Sequence, residues 1–514
     1  MMDIEDRYNN PVISLCMDTM DRDKQALVFA NTKRSAEKTA EEISKKIKSS
    51  RNQDLSDSIL KDLSTPTKQC KRLSRCVKKG IAFHHAGLTS KQRGAVEDGF
   101  REGKIKIIVS TPTLAAGLDI PAFRTIIKDL RRYGPRGMAY IPVLEYLQMA
   151  GRAGRPKYDK YGESICIAGT EAEKDQIMER YIYGEPEDIH SKLAVEPVLR
   201  TYLLSLISSG FVKSREDILD FFEDSFWAFQ FQDMDRLEII IEKILNLLIH
   251  WEFIRSSSES DFKSADELDE EEYKATLLGR RVAELYLDPL TAHSLIKGVR
   301  KGTSMKEIEP FALLQLMSNT LEMRPLLKVR TKDMDDIHEK LVSHEGNMLQ
   351  NEPSMYEPEY EDYLNSVKTA LCIHEWTEEV SEEHLMNKYN IRPGELRAKN
   401  ETVDWLLYAT SELCRIQHFS EIRKEIQKLR LRNKYGVKEE LLALLKFKGI
   451  GRVYSRRLYS NGIKDVGDVK STAINTLASI VGKSRAISLK EQVGEDTKGV
   501  VVKKHGQITL EDWN

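Results

Sequence analysis

Cysteine is scarce in this chain: six in 514 residues, at positions 16, 70, 76, 166, 372 and 414. None falls in the paired CxxC spacing of a zinc ribbon, so reduced structural thiols are expected and no metal site. No run of about eighteen apolar residues occurs, which excludes a helical membrane span. The start, MMDIEDRYNN, has neither the basic nor the apolar region of a signal peptide, and an intracellular location is expected. Net charge is also nearly absent. Lysine plus arginine (79) almost cancels aspartate plus glutamate (81), leaving -2, so any basic surface must be local. What is present is a soluble composition, 40% hydrophobic and 31% charged. A prior of roughly 100 to 200 residues per domain suggests three to five domains.

The texture changes along the chain. Up to about residue 185, short apolar runs alternate with helical patterns: QALVFA (25–30), KIKIIVS (104–110), RTIIKDL (124–130) and GESICIAG (162–169). That alternation predicts a mainly parallel sheet covered by helices. Long amphipathic patterns follow Gly184-Glu185-Pro186: EPVLRTYLLSLISSG, SREDILDFFEDSFWAF and MDRLEIIIEKILNLLIHWEFI. After an acidic, serine-rich stretch (256–272), YKATLLGRRVAELYLDP supplies a wing and a closing helix, the order of a winged-helix domain. An all-helical region then runs from Pro289 to about Gly436, followed by a small basic helical unit and a polar tail. The expected domains are 1–185, 186–288, 289–436 and 437–495, with the tail at 496–514.

The segment YLQMAGRAGRPKYD, from Tyr146 to Asp159, carries the most chemistry. Gln148, Arg152 and Arg155 are spaced by four and three, so a helix would aim all three at one spot. Two guanidinium forks at that pitch suit a polyphosphate; the bland alternative is an exposed helix with surface arginines. A second segment, IIVSTPTLAAGLDIPAFRTII (107–127), runs from a buried strand into Ser110-Thr111 and then Gly117-Leu118-Asp119. Its hydroxyls and amides could hold a phosphate, and its glycine lets backbone approach a ligand.

With VFANTKRSAE (28–37) and HHAGL (84–88), these segments resemble motifs IV, V and VI in the second RecA-like lobe of a superfamily 2 helicase. The details of HHAGL, GLDIPA and QMAGRAGRP are similar to the Ski-like branch. The order of later domains resembles the archaeal Hjm-type DNA helicases over essentially the whole chain. The resemblance implies an α/β RecA-like lobe followed by mainly α domains: winged helix, helical bundle and helix-hairpin-helix. It implies that Arg152 and Arg155 face the γ-phosphate of ATP, Arg155 as the arginine finger that stabilises the phosphoryl-transfer transition state. Gln148, Gly117 and Asp119 would line the nucleotide side, and Asn31, Thr32, Ser110 and Thr111 would touch the DNA backbone.

The family also needs a first lobe, with G-x-x-x-x-G-K-[ST] to cradle phosphates and a DExH box to hold Mg2+. The nearest matches fail. Gly482-Lys483-Ser484 has Leu477 where the first glycine belongs, and Asp266-Glu267-Leu268-Asp269 lies in a charged loop. The chain therefore reads as a helicase cut at the lobe boundary. ATP hydrolysis is expected only with a complementing first-lobe polypeptide, and the rival reading is a non-catalytic DNA-binding protein derived from a helicase.

Between motifs V and VI, IIKDLRRYGPRGMAYIPV (126–143) has two extended runs around Tyr133-Gly134-Pro135-Arg136-Gly137, which suits a hairpin turn. In the resembled family this hairpin separates strands. Tyr133 and Met138 would be the wedge, with Arg131, Arg132 and Arg136 on phosphates; an ordinary surface hairpin is the alternative. In RPGELRAKNETVDWLLYATSEL (392–413), a long helix starting near Pro393 places Arg397, Glu401 and Trp405 on about one face. The resemblance makes it a ratchet in which Trp405 stacks on a base, with Arg397 or Lys399 as its cation; Trp405 could instead be core. LLALLKFKGIGRVYSRRLYSNGI (441–463) reads as a helix-hairpin-helix whose Gly449 and Gly451 let amides meet a phosphate. Lys446, Lys448, Arg452, Arg456 and Arg457 supply its charge, and LASIVGKSRAISL (477–489) reads as a degenerate second copy.

In the tail GQITLEDWN, Gln507, Leu510 and Trp513 are spaced by three, one side of a 3₁₀ turn. They resemble the PIP box by which replication proteins dock on the sliding clamp PCNA, without its second aromatic. The expected function is the motor and DNA-binding part of an ATP-dependent 3′ to 5′ helicase, cytoplasmic and nucleoid-associated. It would act on single-stranded and forked or branched DNA in replication restart and repair, with no membrane partner.

Overall fold

The computed structural model describes residues 7–495 apart from 63–65, 118–119, 135–136, 157–158, 194 and 258–271. The chain folds into two compact units, Met1–Ile189 with Met386–Arg397, and His190–Leu385 with Ala398–Asn514.

In the first unit, helices and strands alternate: α1 (Pro11–Asp21), β1 (Ala26–Phe29), α2 (Lys33–Lys46), α3 (Gln53–Lys61), α4 (Lys68–Val77), β2 (Ile81–His84), α5 (Ser90–Arg101), β3 (Ile107–Ser110), α6 (Thr113–Gly117) and β4 (Arg124–Ile127). A hairpin of β5 (Arg131–Gly134) and β6 (Gly137–Tyr140) follows, then α7 (Val143–Ala150), β7 (Glu163–Cys166) and α8 (Glu171–Ile177), which runs into a π-helical turn at Met178–Ile182. Five strands form one sheet in the order β2-β3-β1-β4-β7, every pairing parallel. Every residue of β1, β2, β3 and β4 is buried, as expected for a sheet covered on both faces. Four of these strands coincide with the apolar runs of the sequence. β2 was not expected, because its IAFH run ends in a histidine and merges with HHAGL.

A charged side chain lies inside this core. Arg124, at the start of β4, has no exposed surface. Its guanidinium meets Glu163 of β7 at 2.7 Å, Asp18 of α1 at 2.9 Å, the Leu15 carbonyl at 2.9 Å and the Thr19 hydroxyl at 2.8 Å. A buried charge is tolerated only when paired and hydrogen-bonded, and here the pairing pins α1 to the sheet edge.

The second unit begins with α9 (Glu196–Ser209), α10 (Arg215–Glu223), α11 (Phe226–Phe231) and α12 (Met234–His250). The SREDILDFFEDSFWAF run is two helices rather than one, because the Ser225 hydroxyl accepts from Ala228 N at 3.3 Å and starts α11 afresh. The antiparallel pair β8 (Ile254–Ser256) and β9 (Tyr273–Ala275) leads to α13 (Leu277–Glu284). Asp288 then receives Arg200 of α9 at 2.8 and 2.9 Å and caps the next helix through Leu290 N at 2.7 Å. The helical region comprises α14 (Pro289–Gly302), α15 (Pro310–Ser318), α16 (Met334–Ser343), α17 (Tyr360–Thr377), α18 (Glu382–Tyr389), α19 (Pro393–Ile416) and α20 (Ser420–Tyr435). Residues 386–397, spanning the end of α18 and the first turn of α19, belong to the first unit. There Arg392 reaches Glu37 at 3.2 Å, and Glu395 pairs with Lys33.

Four short helices close the described chain: α21 (Arg452–Ser460), α22 (Val466–Ser471), α23 (Ile474–Val481) and α24 (Lys483–Gln492). They share a separate small core that includes Phe447, Ile450, Leu458, Leu477, Val481 and Leu489. The second copy is a full helix-glycine-helix, whereas in the first two 3₁₀ turns, Glu439–Leu441 and Leu444–Lys446, stand where a helix was expected before the glycine. Gly449 (φ +82°) precedes α21 and Gly482 (φ +89°) precedes α24. The tail candidates Gln507, Leu510 and Trp513 lie outside the described residues. No helix among the described residues is long and apolar enough to cross a membrane.

Candidate nucleic-acid and nucleotide sites

In a parallel sheet, ligands gather beyond the carboxyl ends of the strands, where loops turn into helix N-termini. Here β1 and β3 are paired in register, Phe29 opposite Ser110, so the loops after them emerge side by side. Asn31 and Thr32 follow β1; Thr111 and Thr113 follow β3. The Thr32 hydroxyl caps α2 by accepting from Ser35 N at 3.0 Å, and the Asn31 amide donates to the Arg131 carbonyl at 2.5 Å, fastening this loop to the hairpin strand β5. Ser110 is placed differently from its expected role. Its side chain is fully buried and its hydroxyl lacks a hydrogen-bond partner, so it packs beneath the surface rather than meeting a strand. Thr111 is also buried, and its hydroxyl bonds that of Thr113 at 2.9 Å, leaving Thr113 as the exposed hydroxyl of the loop.

Beside them, a cavity of about 380 Å³ is lined by His84, Ser90, Arg93, Glu97 and Thr113 among others. His84 Nε2 and Glu97 Oε1 are 2.9 Å apart. Burial lowers the His84 pKa against the opposing pull of Glu97. Ser90 and Arg93 lie on the first turn of α5, whose start is set by a reciprocal Thr89–Gln92 cap. Arg93 and Thr113 were not among the residues expected here. The signals were present in the sequence: TPT directly after the strand, and a cation on the first turn after HHAGL.

The arginine segment differs from the expected continuous helix. α7 stops at Ala150, with Gly151 as its C-cap, and Gln148 is exposed on its last turn. The chain then runs beside Ala122, Ala122 N bonding the Arg152 carbonyl at 2.9 Å and Gly154 N the Ala122 carbonyl at 2.7 Å. Gly154 has φ +94°, and a Cβ on Gly162 would sit 2.3 Å from Gly154 N, so two glycines allow this crossing. The two arginines consequently diverge. Arg152 Nε donates to the Ala115 carbonyl of α6 at 3.0 Å. Arg155 donates to Asp159 at 2.7 Å and to the Gln25 side chain at 2.6 Å. Asp159 is almost fully buried and also holds Lys24 at 2.7 Å. Burial would raise its pKa, but Arg155 and Lys24 outweigh it and hold the carboxyl below its ordinary value. Gln25 immediately precedes β1, so Arg155 lies at the amino end of the sheet and Thr111 at the carboxyl end. Gly117 ends α6; Asp119 lies outside the described residues.

The hairpin forms as expected. Tyr133 pairs directly with Met138, next to the turn pair Gly134 and Gly137, and Met138 is 64% exposed. Arg131 and Arg132 are exposed, Arg131 lying 4.3 Å from the Tyr140 ring and Arg132 2.9 Å from Glu145. Arg136 lies outside the described residues.

In α19, Lys399 gives its ammonium to the Pro325 carbonyl at 2.7 Å and Arg397 is exposed, and both stay candidates for the cation. Trp405 is half-buried, with its indole N–H donating to the Leu285 carbonyl at 3.2 Å. In the terminal unit, Arg452 and Arg456 are tied to the helical region instead of projecting from the hairpin. Arg452 stacks 4.7 Å from the Trp376 ring and donates to the Val380 carbonyl at 2.9 Å. Arg456 pairs with Glu379 and, at 2.9 Å, with Glu440. Spacing alone could not show this, because both arginines face the turn after α17. Lys446, Lys448 and Arg457 are exposed, and so are Lys483 and Arg485 beside the second glycine, Gly482.

Comparison with known proteins fits this layout. Residues 62–157 match the helicase conserved C-terminal domain, 311–436 domain 4 of archaeal helicases, and 441–495 a SAM-like helix-hairpin-helix tandem. The chain is 36% identical to the ATP-dependent DNA helicase Hel308 of Pyrococcus horikoshii over 510 residues, covering 97% of this chain and 67% of that protein. The chain belongs to the Hel308 family. The Hel308 proteins of Methanocella arvoryzae and Methanococcus vannielii are 38% and 35% identical, over 94% and 92% of this chain and 64% and 67% of their own lengths. The chain thus spans about two thirds of the length of these Hel308 relatives. The tandem match at 441–495 also takes in the second glycine hairpin, which in sequence reads as a degenerate copy.

Proposed function

We propose that this chain is the second motor lobe and DNA-binding part of an ATP-dependent DNA helicase. The observation that carries the reading is the sheet polarity of the first unit. Asn31, Thr32, Thr111 and Thr113 collect at the carboxyl ends of β1 and β3, while the Arg155 loop lies at the amino end. A strand and a nucleotide can therefore be held at once by opposite ends of one rigid sheet. The exposed hairpin with Met138, Arg397 and Trp405 of α19, and the exposed cations of the terminal tandem are further candidate strand contacts.

The residues present fit only part of a nucleotide site. Arg152 and Arg155 are the guanidinium candidates for a γ-phosphate, although here they diverge, Arg152 to the Ala115 carbonyl and Arg155 to Asp159 and Gln25; ATP would supply the energy of translocation. No group of three or more metal-ligating side chains occurs among the described residues, and the sequence contains no phosphate-cradling glycine-lysine loop. Holding Mg2+ and the remaining phosphates is left to residues outside this sequence. Release of Arg155 from Asp159 would then be the local change that aims its guanidinium at a phosphate. Action on forked or branched DNA in replication restart and repair, 3′ to 5′ polarity, and docking of Gln507, Leu510 and Trp513 on PCNA belong to the same proposal.

Reconstitution tests it. Mixed with a first-lobe polypeptide carrying the glycine-lysine loop and DExH box, the chain should gain DNA-stimulated ATPase and fork unwinding. Arg155→Ala should abolish turnover, as expected for loss of an arginine finger worth about 10³ to 10⁵ in rate, with DNA affinity nearly unchanged. DNA binding without any reconstituted turnover would favour the non-catalytic rival.

A further inference from the structure

The second unit contains a cavity of about 370 Å³ that no motif above uses. It lies where the end of α12 meets α14, and its walls include His250, Trp251, Glu252, His293, Lys297 and Arg300. His293, Lys297 and Arg300 occupy positions i, i+4 and i+7 of α14, one face of that helix. Trp251 and His293 stack with ring centroids 5.0 Å apart and planes 20° from parallel, which fixes the imidazole against an aromatic wall. Lys297 and Arg300 are exposed, and neither forms an ion pair among the described residues. The one carboxylate in the lining, Glu252, is exposed on a residue of φ +60°. Burial lowers the His293 pKa, and the Lys297, His250 and Arg300 charges lower it further; no acidic group opposes them. Two permanent cations and two imidazoles thus share a concave, partly aromatic space with little to neutralise them.

We infer that this cavity binds a nucleotide phosphate, with Lys297 and Arg300 on its oxygens and the Trp251 wall beside the attached sugar or base. A guanidinium and an ammonium one turn apart present several donors to a tetrahedral anion. The volume exceeds what a bare phosphate needs and falls within the range of small-ligand sites. The site stands on charge and geometry alone and does not depend on the helicase reading. The phosphate could come from a DNA strand or from a free nucleotide.

The test uses the full chain, with dTMP titrated by calorimetry and labelled (dT)12 by anisotropy at several salt concentrations. The double variant Lys297→Ala/Arg300→Ala alters two exposed side chains, so its fold should be retained. Lys332→Ala/Lys340→Ala removes two exposed cations elsewhere and controls for net charge. For a strand phosphate, the first variant should weaken (dT)12 binding about tenfold and flatten the salt slope by about 0.7 for each phosphate no longer neutralised, and the control should not. For a free nucleotide, saturable dTMP binding to the wild type should vanish in that variant while (dT)12 binding holds. If the variant matches the control with both probes, the cavity is not a phosphate site.

Discussion

Trp405 offers the sharpest test of how the helical region meets a strand, because its indole has two separable contacts. The N–H is committed to the Leu285 carbonyl at the end of α13, while the half-buried ring remains partly available. α13 is itself held along α19 by Arg281, which reaches Glu412 at 3.0 Å and the Tyr408 hydroxyl at 3.3 Å. Trp405→Phe keeps an aromatic face and removes one hydrogen bond, costing about 0.5 to 1.5 kcal/mol of stability. In a chain of this size that shifts Tm by about one degree. Trp405→Leu keeps apolar packing and removes the aromatic face. If a base stacks there, it loses about 1 to 3 kcal/mol of binding, roughly 5- to 150-fold in Kd. Anisotropy with (dT)12 and (dA)12, run well below both melting temperatures, separates the two effects. The expected order is wild type close to Phe, with Leu far weaker on both sequences. A Leu variant that binds both oligonucleotides like wild type would show that Trp405 is a packing residue and refute the stacking role.

Three further outcomes are expected. Arg124→Met removes the buried cation between Asp18 and Glu163 and should cost about 3 kcal/mol in urea denaturation, the low end for a broken buried pair because Arg22 still lies 3.1 Å from Asp18. The first unit should also weaken on acidification. Burial would raise the Glu37 pKa, but hydrogen bonds from His85 and Gln69 and the charge of Arg392 bring it from 4.5 to about 2, so its contribution is present above pH 4.5 and lost between there and about 2. Burial lowers the His85 pKa from 6.5, so its contribution starts to fall as pH drops through 6.5. Glu37→Gln should flatten the acid limb of stability measured against pH. In the terminal unit, Lys446→Ala/Lys448→Ala should reduce the duplex salt slope by about 0.9 for each phosphate no longer neutralised, without lowering Tm, whereas Arg452→Ala should lower Tm and leave the slope unchanged.

The parallel sheet was legible because its strands are short, mostly apolar runs separated by helical patterns. β2 escaped because a four-residue run ending in His84 offers too little periodicity to separate it from the motif that follows. Motif spelling located the loops correctly but not what each side chain does in them. Spacing of Gln148, Arg152 and Arg155 is compatible with a helix, yet only the three-dimensional fit of Gly154 against Gly162 shows that the chain leaves the helix at Gly151. Ser110 and Thr113 are alike in sequence, but the strand carries Ser110 into the core and releases Thr113 to the surface.

The cations of the terminal unit show the same limit from the other direction. Five basic residues around Gly449 look equivalent in sequence, and a charge count treats them as one patch. Arg452 and Arg456 fall one turn apart on α21, on the side facing the acidic turn after α17, so Trp376, Glu379 and Glu440 claim them. Arg457 on the same helix stays exposed, as do Lys446 and Lys448 ahead of it. The same helix therefore serves two purposes through its two faces, one fastening the tandem to its neighbour and one presenting charge. A partner element remote in sequence decides which arginine does which, and local pattern carries no information about it.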